Sequence, residues 1–235
     1  MQEIKMKIPI NESLSFGWQT LKSNLGFIIG VLLFVGAVNF LGNLIGNLFS
    51  TLLEKAGENS KSGFFLVIGL MYLTFFLGWI LLSTLLQMGT LKIWLKFVDE
   101  EKPEFGDLFG QYPVFFKYLL ASILYGLIIF AGMILLIVPG IIWAINYMFF
   151  SYLIIDKVMG AIEALKVSSK ITMGYKWDLF VFGILFALIN IAGALCCFIG
   201  LLATVPTTMI AWAYLYRKLL AQVELLPQVQ ATPIS

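Results

Sequence analysis

Apolar residues in this chain gather in long runs rather than in short alternations. Two runs carry no charge for 38 residues each: Tyr118–Ile155, between Lys117 and Asp156, and Leu179–Tyr216, between Asp178 and Arg217. A bilayer core is about 30 Å thick and is crossed by roughly 20 residues of helix. Each run is too long for one crossing and fits two joined by a tight turn. Pro139-Gly140 and Gly200 stand near the two midpoints, where backbone punctuation would place such turns. The same pattern along the chain predicts six spans, at about 25–49, 64–90, 114–137, 141–155, 178–199 and 202–220. Pro113 suits the first helical position ahead of the third. Tyr147 and Tyr152 extend the short fourth span into the headgroup region, and Trp212, Tyr214 and Tyr216 extend the sixth. Pro206 predicts a kink or a late start in the sixth span, with freed carbonyls for neighbours to satisfy.

Between the spans the spacing becomes that of amphipathic helices. Leu14, Trp18, Leu21 and Leu25 precede the first span, and Phe105, Leu108, Phe109 and Tyr112 precede the third. Before the fifth, Val158, Ile162, Leu165 and Ile171 line one side, and Glu163, Lys166 and Lys170 another. Asn39-Phe40-Leu41-Gly42, Ile129-Phe130-Ala131-Gly132 and Asn190-Ile191-Ala192-Gly193 occupy matching places, one in each hairpin. The predicted fold class is all-α: a six-span transmembrane helical bundle of three helical hairpins, each preceded by a cytoplasmic amphipathic helix. One integral membrane domain covers 1–235, with an N-terminal arm at 1–10 and a flexible cytoplasmic tail at 225–235. Such amphipathic helices either lie in the interface with lysines toward phosphate or simply cover helix ends. Trp18, Trp94 and Trp177 stand where anchoring indoles are expected.

Charge sets the orientation. Thirteen lysines and arginines fall on the side of both termini, and two, Lys55 and Lys61, fall in the loop between the first two spans. The positive-inside rule places both termini in the cytoplasm. No short h-region with a cleavage site precedes Leu25, so the first span is expected to stay as an anchor. The composition, 60% hydrophobic and 12% charged, lies far from the roughly 25% charge of soluble domains. A net charge of +2 does not point to nucleic acid. The chain has no histidine, so the commonest general base and metal ligand are missing, and no cofactor or metal is predicted. Cys196 and Cys197 are adjacent and are expected to pack as small hydrophobes.

Polar residues inside the spans are the candidate intramembrane site: Asn39, Asn43 and Asn47 on one slowly turning stripe, with Asn146, Asn190 and Thr207. Ser83, Thr84, Gln87, Ser151 and Thr208 are further polar positions. The stripe reads either as helix–helix glue or as the lining of a path. No ionisable residue lies deep in a span, which disfavours a pump or an intramembrane protease, and no catalytic residue is assigned. The acidic stretch from Asp99 to Asp107 reads as a solvated connector. Asp178 favours the positive end of its helix.

Ile137-Val138-Pro139-Gly140-Ile141-Ile142, then Ile155-Asp156, Ala161-Ile162-Glu163-Ala164-Leu165, Ser168-Ser169, Gly174 and Lys176-Trp177-Asp178 form a recurring set. It resembles uncharacterised bacterial polytopic membrane-protein families: a domain-of-unknown-function family and the membrane domain of some glycerophosphodiester phosphodiesterases. The resemblance covers about 100 residues and implies a bacterial inner-membrane protein. It implies no phosphodiesterase activity, since that catalytic domain uses histidine and this chain has none.

The function expected is that of a non-enzymatic membrane-embedded binding or scaffolding module. Its partners would be membrane lipids, another membrane protein or a second copy. Trp18, Lys166, Lys170 and Trp177 are the candidate headgroup contacts. The alternative is a channel or uncoupled facilitator lined by asparagine and threonine.

Overall fold

The computed structural model describes residues 8–58, 62–196 and 199–231. They form nine α-helices: α1 Ile10–Ser23, α2 Leu25–Glu58, α3 Ser62–Val98, α4 Phe115–Leu135, α5 Ile137–Tyr147, α6 Phe150–Lys157, α7 Ala161–Thr172, α8 Lys176–Leu195 and α9 Leu201–Ala231. Five stretches are long and apolar enough to cross a bilayer: 25–57, 65–98, 105–135, 137–157 and 176–195. The chain is thus an all-helical, multi-pass membrane protein. α2 and α3, of 34 and 37 residues, are about 50 and 55 Å long, well beyond the roughly 30 Å core.

The expected sixth span falls in α9, which is not among the five. Its apolar part is diluted by Thr204, Pro206, Thr207, Thr208, Trp212, Tyr214 and Tyr216. The packing explains the tolerance: Pro206–Thr208, Ile210, Ala211, Ala213, Leu215, Tyr216, Leu219 and Leu220 are buried. α9 is the central helix, against which α1, α3, α7 and α8 all pack. A helix sheathed by other helices has little contact with lipid and can carry hydroxyls that neighbours satisfy.

The core sits toward one end of the bundle. It joins Leu21, Ile28 and Val31 to Leu86–Phe97 of α3, Phe149–Ile155, the inner face of α7, Leu179–Phe186 of α8 and Ile210–Leu220 of α9. Away from it the hairpins keep mainly to their own partners. In the α2–α3 hairpin, Trp79 lies on Gly42, and Phe49 faces Phe75 with ring centroids 5.5 Å apart. Leu33, Phe40, Leu48, Leu66, Leu70 and Leu77 are exposed around that contact, as suits side chains in lipid.

The turns of the other two hairpins share one device. A Cβ on Gly132 would come within 2.8 Å of the Gly140 Cα, and a Cβ on Gly200 within 2.5 Å of the Gly193 carbonyl oxygen. The matched glycines Gly132 and Gly193 let each helix pair close at its tip. Gly42, in the matching place of the first hairpin, instead receives an indole, so the repeat is a structural one in two hairpins of three.

Several boundaries differ from expectation. Pro139-Gly140 is not the turn: α5 starts at Ile137, and the chain reverses at extended Leu136. Proline in the first turn of a helix gives up a donor that would have no partner there, and Gly140 is the close-approach residue. The span expected at 141–155 is broken at Met148-Phe149 into α5 and α6. Only single-turn 3-10 segments, Phe105–Leu108 and Tyr112–Val114, precede α4 where an amphipathic helix was expected. α9 begins at Leu201, before Pro206, and continues to Ala231, so most of the supposed tail from 225 is helical. Trp94 is buried at 2% exposure and is a core residue, not an interfacial anchor. Cys196 is exposed, and Cys197 lies outside the described residues, as do Lys5, Lys7 and Lys61.

Candidate functional site

The ends of α3 and α6 meet the middle of α9 at the chain's one arginine. Arg217 Nε donates to Asp99 Oδ1 at 2.8 Å, and its Nη2 donates to Asp156 Oδ1 at 2.7 Å. The Tyr216 hydroxyl donates to Asp156 Oδ2 at 3.0 Å. A planar guanidinium can grip two carboxylates at once, which a lysine ammonium cannot do as well. The hub therefore ties the end of α3, the end of α6 and the middle of α9. Sequence spacing does not bring these residues together. The available signal was that fourteen basic residues are lysine and one is arginine.

Other cations at this end are also engaged. Lys96 donates to both oxygens of Asp107 at 2.7 and 2.8 Å, folding the 99–114 connection back onto α3. Lys117 donates to the Val158 carbonyl at 3.0 Å, at a corner where Val158 adopts a left-handed φ of 55°. Lys157 pairs with Glu224 at 3.1 Å, and Lys218 with Glu12 at 3.2 Å. Tyr214 also donates to Glu12, and these two bonds hold the Glu12 carboxyl below its ordinary range. Asp99 and Asp107 thus have structural roles, so the acidic stretch is not wholly a solvated connector.

Lys166 and Lys170 are not engaged in this way, and neither are Lys92, Lys102 and Lys176 among the described residues. Lys166 and Lys170 are exposed on α7, and neither has an ion pair among the described residues. The apolar row expected beside them splits in two. Leu165 and Ile171 turn into the core with Ala161 and Ala164, while Val158 and Ile162 stay exposed at 54% and 61%. Helical geometry requires this split, since Leu165 and Ile171 stand on the same face as Ala161, Ala164 and Ser168 and opposite to Lys166. Met173 and Trp177 continue the exposed apolar surface at 70% and 73%. Trp18 is half-exposed on α1, under the Lys22 ammonium 5.7 Å from its ring centre. α1 and α7 therefore do not float on the interface: each buries one face in protein and offers the other outward.

Asn146 marks the break between α5 and α6. Its carbonyl accepts hydroxyl bonds from Ser168 and Thr172, each at 3.1 Å, and the Phe149 N–H donates to Ser168 Oγ at 3.1 Å. Two hydroxyls of α7 thus satisfy backbone groups that the broken helix leaves over. The Asn146 side-chain oxygen is buried without a partner among the described residues.

The intramembrane amides do not converge. Asn190 Nδ2 donates to Thr208 Oγ1 at 3.2 Å, joining α8 to α9, while Thr207 donates to the Ala203 carbonyl of its own helix at 2.7 Å. Asn39 and Asn43 donate to the Val35 and Asn39 carbonyls on their own helix, both at 2.8 Å. No hydrogen bond among the described residues links Asn39, Asn43 or Asn47 to Asn190 or Thr207. Asn39 is half-buried, and Asn43 and Asn47 are exposed.

No family model, curated protein or solved structure matches this chain. Three residues of the motif set quoted above have structural roles: Gly140 closes the α4–α5 turn, Asp156 is gripped by Arg217, and Ser168 seals the α5–α6 break.

Proposed function

We propose that the chain is a non-enzymatic, six-span module of the bacterial inner membrane, with both termini cytoplasmic, whose cytoplasmic end binds anionic lipid headgroups. The proposal includes kinship with the uncharacterised families named above. α9 supports the sixth crossing: it runs antiparallel to α8, with Phe182 against Trp212, Asn190 against Thr208 and Gly193 against Gly200. If α8 crosses, α9 crosses with it.

One observation carries the lipid reading. Lys96, Lys117, Lys157, Arg217 and Lys218 are engaged, whereas Lys166 and Lys170 have no ion pair among the described residues and stand beside exposed Val158, Ile162, Met173 and Trp177. Ammonium groups next to an apolar and indole surface are what a headgroup region accepts. Each basic residue near an anionic leaflet contributes on the order of 1 kcal/mol.

Replacing both lysines by glutamine is expected to weaken anionic-lipid binding by up to about tenfold, and the difference should fade at high salt. The measurement is thermal stabilisation by phosphatidylglycerol and cardiolipin vesicles against phosphatidylcholine, for the parent and for Lys166→Gln/Lys170→Gln. Equal stabilisation of the two proteins would reject the reading. Labelling of single cysteines at Ser60 and Ser169, in a chain without Cys196 and Cys197, tests the topology. The two sites should label from opposite sides, and labelling from one side would reject six spans.

A further inference from the structure

α2 carries two seams of residues spaced alternately four and three apart. The first, Gly42, Gly46, Phe49 and Leu53, is filled by α3: Trp79 lies on Gly42, Phe75 faces Gly46 and Phe49, and Leu53 meets Gly69. The second is Gly36, Phe40, Asn43, Asn47 and Ser50. It lies roughly a third of a turn around the helix, and every member is exposed. Four-three spacing is the geometry by which two helices interlock side chains along a shared seam.

This open seam is chemically unsuited to lipid. Asn43 gives one N–H to the Asn39 carbonyl, which leaves its other N–H and its Oδ1. The Asn47 side chain has no hydrogen-bond partner among the described residues, and its carbonyl takes the Ser50 and Thr51 hydroxyls. Both lie inside a candidate membrane span. Amides facing hydrocarbon have nothing to bond to, and leaving them so costs free energy.

We propose that a second copy of this chain occupies the seam, α2 against α2. An amide is donor and acceptor at once, so it pairs reciprocally with its own kind. Copies inserted with the same orientation present parallel α2 helices, so a twofold axis brings Asn43 to Asn43 and Asn47 to Asn47. Asparagine at such seam positions fixes the register of a pair. Gly36 and Ser50, one on either side, let the backbones approach, as small residues do between membrane helices. The seam contains neither Lys166 nor Lys170, so this proposal and the lipid reading stand or fall separately.

The test uses the full chain in phosphatidylcholine vesicles, with no anionic lipid, and counts chains per particle by single-molecule photobleaching over a range of protein-to-lipid ratios. The parent should dimerise, and Asn43→Leu/Asn47→Leu should need roughly tenfold more protein per lipid for the same dimer fraction, as expected for two lost interhelical amide pairs. Oxidative cross-linking supplies a readout in which both asparagines are retained. In a Cys196→Ala/Cys197→Ala chain, Ser50→Cys on the seam should cross-link in the membrane, and exposed Leu41→Cys, on the far side of α2, should not. A parent that stays monomeric at every ratio, a leucine variant that dimerises like the parent, or equal cross-linking at the two cysteines would overturn the proposal.

Discussion

At Gly17 the backbone of α1 comes so close to α9 that a Cβ there would collide with the Thr207 carbonyl oxygen. A carbonyl within a helix cannot swing aside as a flexible side chain can. Gly17→Ala must therefore lift α1 off α9, an overpacking that costs roughly 1–3 kcal/mol. Gly126, in α4, has open space where its Cβ would go. Gly126→Ala should leave stability unchanged or raise it by up to about 1 kcal/mol, through helix propensity. Melting midpoints of the two variants in detergent check both outcomes, and a fall for Gly126→Ala equal to that for Gly17→Ala would refute the account. The tryptophans show the limit of reading single residues. Trp18, Trp94 and Trp177 hold similar places in the sequence, near the ends of the expected spans. Trp18 and Trp177 are exposed, but Trp94 faces the core, because α3 continues past it to meet the folded-back 99–114 connection.

At the scale of elements, α7 shows why an amphipathic pattern does not name its own environment. Its apolar stripe was legible, and so was its helical state. The stripe packs on α4, α5, α6 and α9 rather than on lipid, and it carries Ser168 and Thr172 because the element beneath it is a broken helix. Ser168→Ala with Thr172→Val would strand the Phe149 N–H and the Asn146 carbonyl. Leaving buried backbone groups unpaired costs about 1–3 kcal/mol. The prediction is a lower melting midpoint together with faster amide exchange confined at first to 146–150. Unchanged exchange there would show that the hydroxyls do not hold the joint. The break itself had no sequence signal: Tyr147-Met148-Phe149-Phe150 contains neither glycine nor proline. Pro139-Gly140 had a strong signal and was misplaced, since proline is acceptable in a helix's first turn and glycine also serves close packing.

Across the whole molecule, Arg217 holds together ends that lie 118 and 61 residues away along the chain. Arg217→Met would leave Asp156, whose side chain is only 10% exposed, without its counter-charge. Removing one member of a buried pair costs several kcal/mol, and partial exposure here lowers the expectation to about 1–3 kcal/mol. Asp156→Asn in the Arg217→Met background should restore part of the loss, because it removes the stranded charge. A double variant no more stable than Arg217→Met would contradict that origin. Melting of the four proteins of the cycle measures it.

The sequence alone determined the all-helical membrane class, the matching places of Gly132 and Gly193, and the amphipathic character of α1 and α7. These follow from one-dimensional quantities: run length against bilayer thickness, helical period and the recurrence of a short motif. Tertiary structure decided which helix is central, which lysines have no ion pair among the described residues, where the fourth span breaks, and what Arg217 grips. Those outcomes depend on which faces meet. α9 has the weakest membrane signal because its neighbours, not lipid, are its solvent. Lys166 and Lys96 look alike in the sequence, yet one is exposed and the other is clasped by Asp107, because only the fold brings a carboxylate to it.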